Sequence, residues 1–279
     1  MDRKIDRKKG TEYKEKRNEK SRDERENSAP EERPDLIIGR NAVSEALRSE
    51  RLIDTLLVAR GERNGSIGRI IAECKDKNIV VKEVDKKKLD FMCGQGNHQG
   101  VAAYAAAHKY AEVEDIFALA EERGEEPFII ICDEIEDPHN LGAIIRTAET
   151  TGVHGIIIPK RRNASLSYAV GKTSAGAIEY VPVARVGNLA STIDDLKKRG
   201  LWVYTADMDG SNWCETDFSG GVALIVGSEG NGVSRLIKEK SDFVVSLPMR
   251  GKITSLNASV AAGILMYEVA RQRLKIKAK

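Results

Sequence analysis

Two short apolar runs, Phe128-Ile-Ile-Ile-Cys132 and Val222-Ala-Leu-Ile-Val226, decide the fold of this chain. A strand with one face in water alternates apolar and polar side chains, whereas these two runs are apolar at every position. Continuous apolar strands are typical of a parallel sheet that helices cover on both faces. The runs therefore predict an α/β domain, and ligands of such sheets bind at the carboxyl ends of the strands.

The alternation of strands and helices continues over residues 127–279. Besides the quoted runs, strands are predicted at 155–159, 201–206 and 243–247, and helices at 141–151, 188–199, 233–240 and 256–274. In the last helix, Leu256, Val260, Ile264 and Val269 recur at helical spacing, so we expect them to share one face.

A second, smaller α/β unit is predicted at residues 36–107. Its pattern indicates strands at 53–59, 79–84 and 101–107 and helices at 42–48 and 67–77, the first helix capped by Asn41. Residues 108–126 are charged, helical in pattern and poor in core residues, so we interpret them as a linker.

The first 35 residues contain 12 Lys and Arg, 11 Asp and Glu, and only four apolar residues. Such a segment cannot bury enough apolar surface to offset the entropy lost on ordering, so residues 1–35 are predicted to be a disordered charged tail. A solubilising extension is the role we favour, and an RNA-gripping arm is the alternative.

The whole chain of 279 residues is 41% hydrophobic and 32% charged, with a net charge of +2. No stretch approaches the roughly 18–20 apolar residues of a membrane-spanning helix, and no apolar signal-peptide core follows Met1. The four cysteines are far apart and lack CxxC spacing, which argues against a disulfide framework or a zinc site and favours a reducing cytoplasm. The near-neutral charge at first argues against a nucleic-acid partner.

Polar loops follow three of the predicted strands. The first, Asp133-Glu-Ile-Glu-Asp-Pro-His-Asn-Leu-Gly142, leads into a helix that carries Arg146. Asn140 fits either a helix N-cap or a ligand contact. Arg146 fits either an ordinary surface arginine or a contact to a phosphate or alkoxide.

The second loop, Gly227-Ser-Glu-Gly-Asn-Gly232, has neither the glycine spacing of a dinucleotide fingerprint nor the Gly-Lys-Ser/Thr of a P-loop. Its glycines indicate close backbone approach or positive φ. Glu229 stands where a carboxylate would meet a ligand, and a tight turn without a ligand is the alternative.

The third loop, Leu247-Pro-Met-Arg-Gly-Lys-Ile-Thr-Ser-Leu-Asn257, precedes the last helix. One interpretation of Ser255 is that it serves only as the N-cap of that helix. The corner from Ser255 to Asn257 can also present hydroxyl, amide and free N–H groups to a polar ligand.

In this order, the three loops resemble the three motifs of the SpoU (SPOUT-class) family of RNA ribose 2′-O-methyltransferases, and the match covers residues 127–273. The N-terminal unit, from Ile38-Gly-Arg-Asn-Ala-Val43 to His98-Gln-Gly100, looks like the L30e-like RNA-binding domain of one branch, the bacterial 23S rRNA guanosine-2′-O-methyltransferases. Gly171-Lys-Thr-Ser-Ala-Gly-Ala-Ile-Glu179 is similar to that branch's segment between the first and second motifs.

The resemblance implies a fold, a cofactor and an assembly. The fold is an α/β knot, a parallel sheet with a deep trefoil knot, preceded by a small L30e-like α/β domain; knots are rare exceptions among folds. The cofactor is S-adenosylmethionine, bound through backbone groups at Gly227, Leu247 and Leu256. The assembly is an obligate homodimer whose active sites mix residues of both chains, and no metal is implied.

The catalytic residues that the resemblance implies are Asn140, Arg146, Glu229, Ser255 and Asn257. The family proposal makes Arg146 the base that takes the proton of the hydroxyl. A guanidinium group, with a pKa above about 12, is a poor base near neutral pH. We therefore favour an Arg146 that stabilises the developing alkoxide and the adjacent phosphate, while the other four residues orient the nucleotide and the loops.

The implied function is methylation of a ribose 2′-hydroxyl, in a guanosine of 23S rRNA. A tRNA or resistance-type rRNA substrate is one alternative, and a catalytically silent RNA-binding protein is another, against which the five intact residues argue. The net charge does not exclude RNA binding, because local clusters of basic residues, and not the total charge, determine whether a protein binds phosphates. These groups are Arg161 with Arg162, Arg250 with Lys252, and the five basic residues of 271–279. We expect RNA binding that weakens with salt, with a modest slope.

Overall fold

A computed structural model of the chain describes residues 35–49, 52–62, 65–94 and 96–276. Of the predicted charged tail only Asp35 is among them, so the prediction of disorder lies outside the described residues. The same holds for the end of the basic C-terminal segment, residues 277–279. No helix among the described residues is long and apolar enough to cross a lipid bilayer.

The described residues form ten strands and nine α-helices, which are numbered in chain order. The strands are β1 (Leu36–Ile38), β2 (Ile53–Ala59), β3 (Val80–Val84), β4 (Val101–Ala105), β5 (Phe128–Asp133), β6 (Gly155–Pro159), β7 (Val183–Val186), β8 (Leu201–Asn212), β9 (Gly221–Gly227) and β10 (Phe243–Ser246). The helices are α1 (Arg40–Arg48), α2 (Ser66–Asp76), α3 (Lys86–Met92), α4 (Val113–Arg123), α5 (Pro138–Thr150), α6 (Tyr168–Thr173), α7 (Leu189–Lys198), α8 (Arg235–Lys240) and α9 (Ala258–Arg273).

The N-terminal unit is built on a four-stranded sheet in the order β1-β4-β2-β3. Strand β2 lies inside this sheet, parallel to β3 and antiparallel to β4, and all seven of its residues are buried. One core beside the sheet contains Val43 of α1 and Ile67 of α2, and a smaller one contains Leu89 of α3. The sheet is therefore covered by helices on both faces.

The C-terminal domain contains a six-stranded sheet in the order β10-β8-β9-β5-β6-β7, and every pairing in it is parallel. Alternate residues of β5 enter two separate cores. Phe128 and Ile130 belong to the core shared with α5 and α9, and Ile129 and Ile131 to the core shared with α4, α7 and α8. The predicted parallel sheet with two covered faces is confirmed, and an N-terminal domain precedes it as expected.

The segment that we interpreted as a linker contributes to this second core. It contains α4, whose Ile116 and Ala120 are buried. Ile116 occupies the space beside Gly155, where an added Cβ would come within 2.4 Å of its side chain. The segment looked poor in core residues because only one narrow stripe of an otherwise charged helix is buried.

Two local predictions are wrong. Helix α1 begins after Gly39, which has φ 92° and provides no side-chain cap, so Asn41 lies inside the helix and does not cap it. In α9 the buried face is formed by Ala262, Leu265, Met266 and Val269, whereas Val260 is 49% exposed. Because α9 is apolar on both faces, residue spacing could not decide which face meets the core.

Candidate active site

The first and second polar loops begin side by side at the carboxyl edge of the six-stranded sheet. Strands β5 and β9 are neighbours, and Asp133 at the end of β5 pairs in register with Gly227 at the end of β9. The buried Asp133 carboxylate accepts a hydrogen bond of 2.7 Å from the Ser234 N–H, just beyond the second loop. This bond fixes the path of the second loop against the end of β5.

Three of the predicted catalytic residues, one from each loop, are joined by hydrogen bonds. The Asn140 Nδ2 donates to Glu229 Oε1 at 3.0 Å. The Asn257 Nδ2 donates to Asn140 Oδ1 at 2.9 Å and also to Glu229 Oε1. We call Asn140, Glu229 and Asn257 the loop triad, because it connects all three loops at one point.

The helix caps decide between the alternatives that the sequence left open. The N-cap of α5 is Asp137, whose side chain accepts from the His139 N–H at 3.0 Å, so Asn140 has no capping role. The N-cap of α9 is Asn257, whose Oδ1 accepts from the Ser259 and Val260 N–H groups at 3.0 and 3.2 Å. Ser255 is therefore not a cap, and Asn257 has two tasks at once.

The second loop needs its glycines for close packing of backbone on backbone. Ser228 and Gly232 exchange hydrogen bonds of 3.1 and 2.8 Å, and Gly232 has φ 65°. A Cβ on Gly227 would lie 2.1 Å from the carbonyl carbon of Gly232, so no other residue fits there without opening the loop. This tight closure presents Glu229 at the exposed tip of the loop.

A cavity of about 330 Å³ lies between the second and third loops and can hold a small cofactor. Gly227, Leu247 and Leu256, the three predicted cofactor contacts, all line it, and so does the exposed Ser255. The Oγ of Ser228 is buried at this cavity and has no hydrogen-bond partner among the described residues. We call this space the cofactor cavity.

A second space of about 340 Å³ adjoins the cofactor cavity and is lined by Asn140, Glu134 and Glu136. We call it the acidic cleft. The two spaces meet at the tip of the second loop, because they share the lining residues Ser228, Glu229, Gly230, Asn231 and Ala258. Two reactants bound in the two spaces would approach each other at Glu229.

Arg146 is the one predicted catalytic residue that neither belongs to the loop triad nor lines one of the two spaces. Its side chain is exposed, and it lines neither the cofactor cavity nor the acidic cleft. On α5 it lies three residues from Ala143 and four from Thr150, positions that share a helix face. Both of these neighbours line a groove of about 1480 Å³ beside α9, whose lining does not include Arg146 itself.

Sequence reasoning missed three residues that line the cofactor cavity, Asp207, Met208 and Ser228. Burial raises the pKa of Asp207, but hydrogen bonds from Lys238 and from the Met208 N–H outweigh it, so the pKa lies below its ordinary value. A carboxylate is thus held in its charged form at the cavity wall. The only signal for it was its position directly after the predicted end of strand 201–206.

The described residues were also compared with the side-chain arrangements that bind metal ions. Among residues 35–49, 52–62, 65–94 and 96–276, no group of three or more His, Cys, Asp or Glu side chains is arranged to hold an ion.

Comparison with protein families gives two matches that together span most of the chain. The sequence model of the SpoU rRNA methylase family matches residues 127–267. The model of the RNA 2′-O ribose methyltransferase substrate-binding domain matches residues 36–111. A Bacillus subtilis (strain 168) protein, YacO, assigned to the TrmH family of tRNA/rRNA methyltransferases, is 51% identical over 240 residues, which are 86% of this chain and 96% of that protein.

Two solved structures are similar to the structure of this chain. An AdoMet-bound rRNA methyltransferase from Sinorhizobium meliloti has a TM-score of 0.53 and 26% identity, over 86% of this chain and 87% of that chain. The SpoU methyltransferase AviRb from Streptomyces viridochromogenes, in complex with AdoMet, has a TM-score of 0.55 and 24% identity, over 86% of this chain and 90% of that chain. At the identity of the second pair, the likeness concerns the fold alone.

Proposed function

The chain belongs to the SpoU family of RNA methyltransferases, and we propose that it transfers a methyl group from S-adenosylmethionine to the ribose 2′-hydroxyl of a guanosine in 23S rRNA. One observation carries the proposal. The loop triad joins three loops between the cofactor cavity and the acidic cleft, so a methyl donor and a nucleotide bound there would meet at Glu229.

The residues of the cofactor cavity fit S-adenosylmethionine. Its volume of about 330 Å³ lies in the range of small-molecule sites, roughly 300–1,000 Å³. The buried Ser228 hydroxyl has a hydrogen bond to offer, and the Leu247 and Leu256 side chains offer apolar contact. The Asp207 and Glu229 carboxylates complement a positively charged sulfonium. When bound, the cofactor supplies a methyl group that is already activated toward attack by oxygen.

The protein's task is then to position the attacking hydroxyl, since in-line transfer requires oxygen, methyl carbon and sulfur to be nearly collinear. The loop triad holds its own amide and carboxylate groups in one arrangement before substrate arrives, which lowers the cost of reaching that geometry. Ser255, at the rim of the cofactor cavity, offers a hydroxyl to the nucleotide. The carboxylates of the acidic cleft disfavour a phosphate inside it, so the phosphates belong on basic residues at its edge. Arg162, which pairs with Glu134 at 2.9 Å, is one such residue.

A homodimer supplies the part of the site that a single chain lacks. Helix α9 has a second apolar face, on which Val260, Ile264 and Tyr267 line the groove beside α5. A helix that is apolar all round is normally buried all round, and a second copy of this chain would cover the groove. Arg146 follows Ala143 of the groove lining by about one turn of α5, so a partner seated in the groove would bring its loop triad toward Arg146. Arg146 would then stabilise the developing alkoxide while the hydroxyl proton passes to water.

Mixed dimers test this arrangement. We would co-express two differently tagged chains, one with Arg146→Ala and one with Glu229→Gln, and purify the heterodimer. If Arg146 serves the partner's site, the heterodimer contains one intact site and regains up to half of the wild-type activity, although each parent homodimer is inactive. If each site is built within one chain, both sites of the heterodimer carry a substitution and no activity returns.

The RNA is tested with labelled S-adenosylmethionine and total RNA from cells that lack this enzyme. Label in the large-subunit rRNA fraction is the expected result. The tRNA alternative has support in the family assignment of the Bacillus subtilis relative, which includes both RNA classes. Label confined to tRNA would overturn the rRNA assignment. Calorimetry tests the silent-module alternative, because such a protein would show no affinity for the cofactor.

The cytoplasm is the compartment that the cysteines favour. Cys74 and Cys132 are buried free thiols and Cys214 is an exposed one, as suits a reducing environment.

A further inference from the structure

We propose that one surface of the N-terminal unit binds an unpaired segment of the RNA, with a base stacked on Phe91. The surface consists of the exposed face of α3 and the loop at residues 96–100, and we call it the α3 surface. The inference rests on the proposed function only in taking the substrate to be RNA.

The first observation is an exposed aromatic ring between lysines. Phe91 is 81% exposed, more than any other large apolar side chain among the described residues. Lys87 and Lys88 lie four and three residues before it on α3, so all three side chains share one helix face. An exposed apolar ring is unfavourable in water. A ring flanked by two cations can, however, stack on a base of RNA while the cations contact the neighbouring phosphates.

The second observation is a rigid polar loop that is bonded to the same helix. Gln99 has φ 50°, a left-handed conformation that is unfavourable for a residue other than glycine, and functional sites often contain such residues. Its carbonyl accepts a hydrogen bond of 2.8 Å from Arg40 Nε. The buried His98 accepts from the Gly100 N–H at 2.9 Å through Nδ1, which leaves Nε2 to donate to Asp90 at 2.7 Å. The loop is therefore fastened to both α1 and α3.

The fastened loop leaves its amide side chains free to contact a ligand. Asn97 and Gln99 are exposed and line a cavity of about 630 Å³ together with Arg40 and Lys86. Amide groups can both donate to and accept from the edge of a base. The two carboxylates at this cavity are already paired, Glu62 with Arg40 at 3.8 Å and Asp90 with His98. Arg40 and Lys86 balance Glu62 and Asp90 in the lining of this cavity, and the excess positive charge of the α3 surface comes from Lys87 and Lys88.

These features favour unpaired RNA over a duplex. In a duplex the bases are stacked on each other and cannot reach a protein ring, whereas bases in loops and bulges can be splayed out onto an aromatic side chain. The match of residues 36–111 to a substrate-binding domain agrees with a contact to the substrate in this unit. The α3 surface thus points to a class of substrate feature, a loop or bulge of the RNA.

Fluorescence anisotropy on the full-length protein tests the proposal with two labelled probes, a 12-nucleotide oligouridylate and a 12-base-pair RNA duplex. Stacking of one base predicts that Phe91→Ala weakens binding of the single strand roughly 5- to 150-fold and leaves the duplex unchanged. Phe91→Tyr keeps a stacking ring and should bind like the wild type. Leu236→Ala is the matched control, since Leu236 is 57% exposed on α8 of the other domain.

The lysines give an independent readout. Replacing Lys87 and Lys88 by alanine removes two phosphate contacts, so the slope of log affinity against log salt should fall in magnitude by about 1.4. An unchanged slope would contradict their role.

Single-strand affinity that is equal for Phe91→Ala and the wild type, or reduced equally by Leu236→Ala, would overturn the inference. Methyl transfer measured on the same proteins separates the two hypotheses. If the proposed reaction is wrong, the wild type transfers no methyl group although Phe91 still governs RNA affinity. If only this inference is wrong, the wild type transfers methyl groups and Phe91→Ala does so with the same KM.

Discussion

Asn257 gives the sharpest test of the loop triad, because one substitution can separate its two tasks. Its Oδ1 caps α9, and its Nδ2 donates to Asn140 and Glu229. Asn257→Asp keeps an oxygen at the capping position but replaces the donor by an acceptor that faces two other acceptors. The cap, and with it α9, should survive while the triad is lost.

The expected magnitude follows from the bonds that are removed. A neutral hydrogen bond contributes about 1 kcal/mol net and one to a charged group about 1.5–3 kcal/mol, so the two bonds of Nδ2 together contribute roughly 2–4 kcal/mol. If this energy holds the reactive arrangement, kcat/KM should fall roughly 30- to 1000-fold. The same bonds stabilise the folded loops, so Tm should also fall, by roughly 2–4 °C for each kcal/mol that is lost in a domain of this size.

The assay compares methyl transfer and thermal unfolding in four proteins. Asn257→Ser also retains a capping oxygen but adds no charge beside Glu229, so it should lose activity without the added repulsion. Asn188→Ala is the matched control, because Asn188 caps α7 through the Ser191 N–H at 3.1 Å, away from the loop triad. It should lower Tm and leave activity unchanged. Near wild-type activity for Asn257→Asp would refute the role of the triad, and so would an equal loss of activity in Asn188→Ala.

Three further predictions concern the loops and the fold. Gly227→Ala should abolish cofactor binding in calorimetry, because the added Cβ would lie 2.1 Å from the Gly232 backbone. Gly187→Ala is the control and should bind the cofactor normally, because its Cβ would have open space around it. Equal affinities of the two variants would contradict the packing argument. Arg185→Ala should lower the free energy of unfolding in urea by about 3–5 kcal/mol, since it removes the cation from the buried Asp54 carboxylate, and a loss below 1 kcal/mol would contradict a structural ion pair. Burial, partly offset by Glu125, lowers the pKa of His154, so stability should be constant above about pH 6.5 and decrease as the pH falls through 6.5 toward the lower folded-state pKa. Urea midpoints between pH 5 and 8 check this, and His154→Gln should flatten the dependence.

The fold could be predicted where burial requires a run of apolar residues that is visible in the sequence. Strands β2 and β6 have the predicted bounds, because their largely apolar runs end at polar or glycine-containing turns. Helix α3 and strand β7 were missed, since α3 buries only Leu89 and β7 has only four residues. A single buried position gives no recurring spacing of apolar residues, so the helix cannot be recognised from the sequence. The second face of α9 shows the opposite difficulty, because there too many positions are apolar for the pattern to choose one.

The site could be predicted as a set of residue types but not as a geometry. Each loop was recognisable by its glycines, amides and carboxylates at a strand end. Nothing in the order of residues could say that Asn257, and not Ser255, caps α9, because both types are good caps. The approach of Asn140 to Glu229 spans 89 positions of the chain and depends on β5 and β9 being neighbours. The knot implied by the family resemblance stays a prediction.

Alkaline hydrolysis of RNA labelled by this protein shows directly whether the methyl group is on a ribose 2′-oxygen. Alkali cleaves RNA through attack by the 2′-hydroxyl, so a ribose methylated at that oxygen blocks cleavage at its own position. We expect the label in alkali-resistant dinucleotides whose 5′ residue is a guanosine of 23S rRNA, and Asn257→Asp should greatly reduce this signal. Label recovered in mononucleotides would mean that the methyl group is on a base, and it would contradict a site built around a ribose hydroxyl.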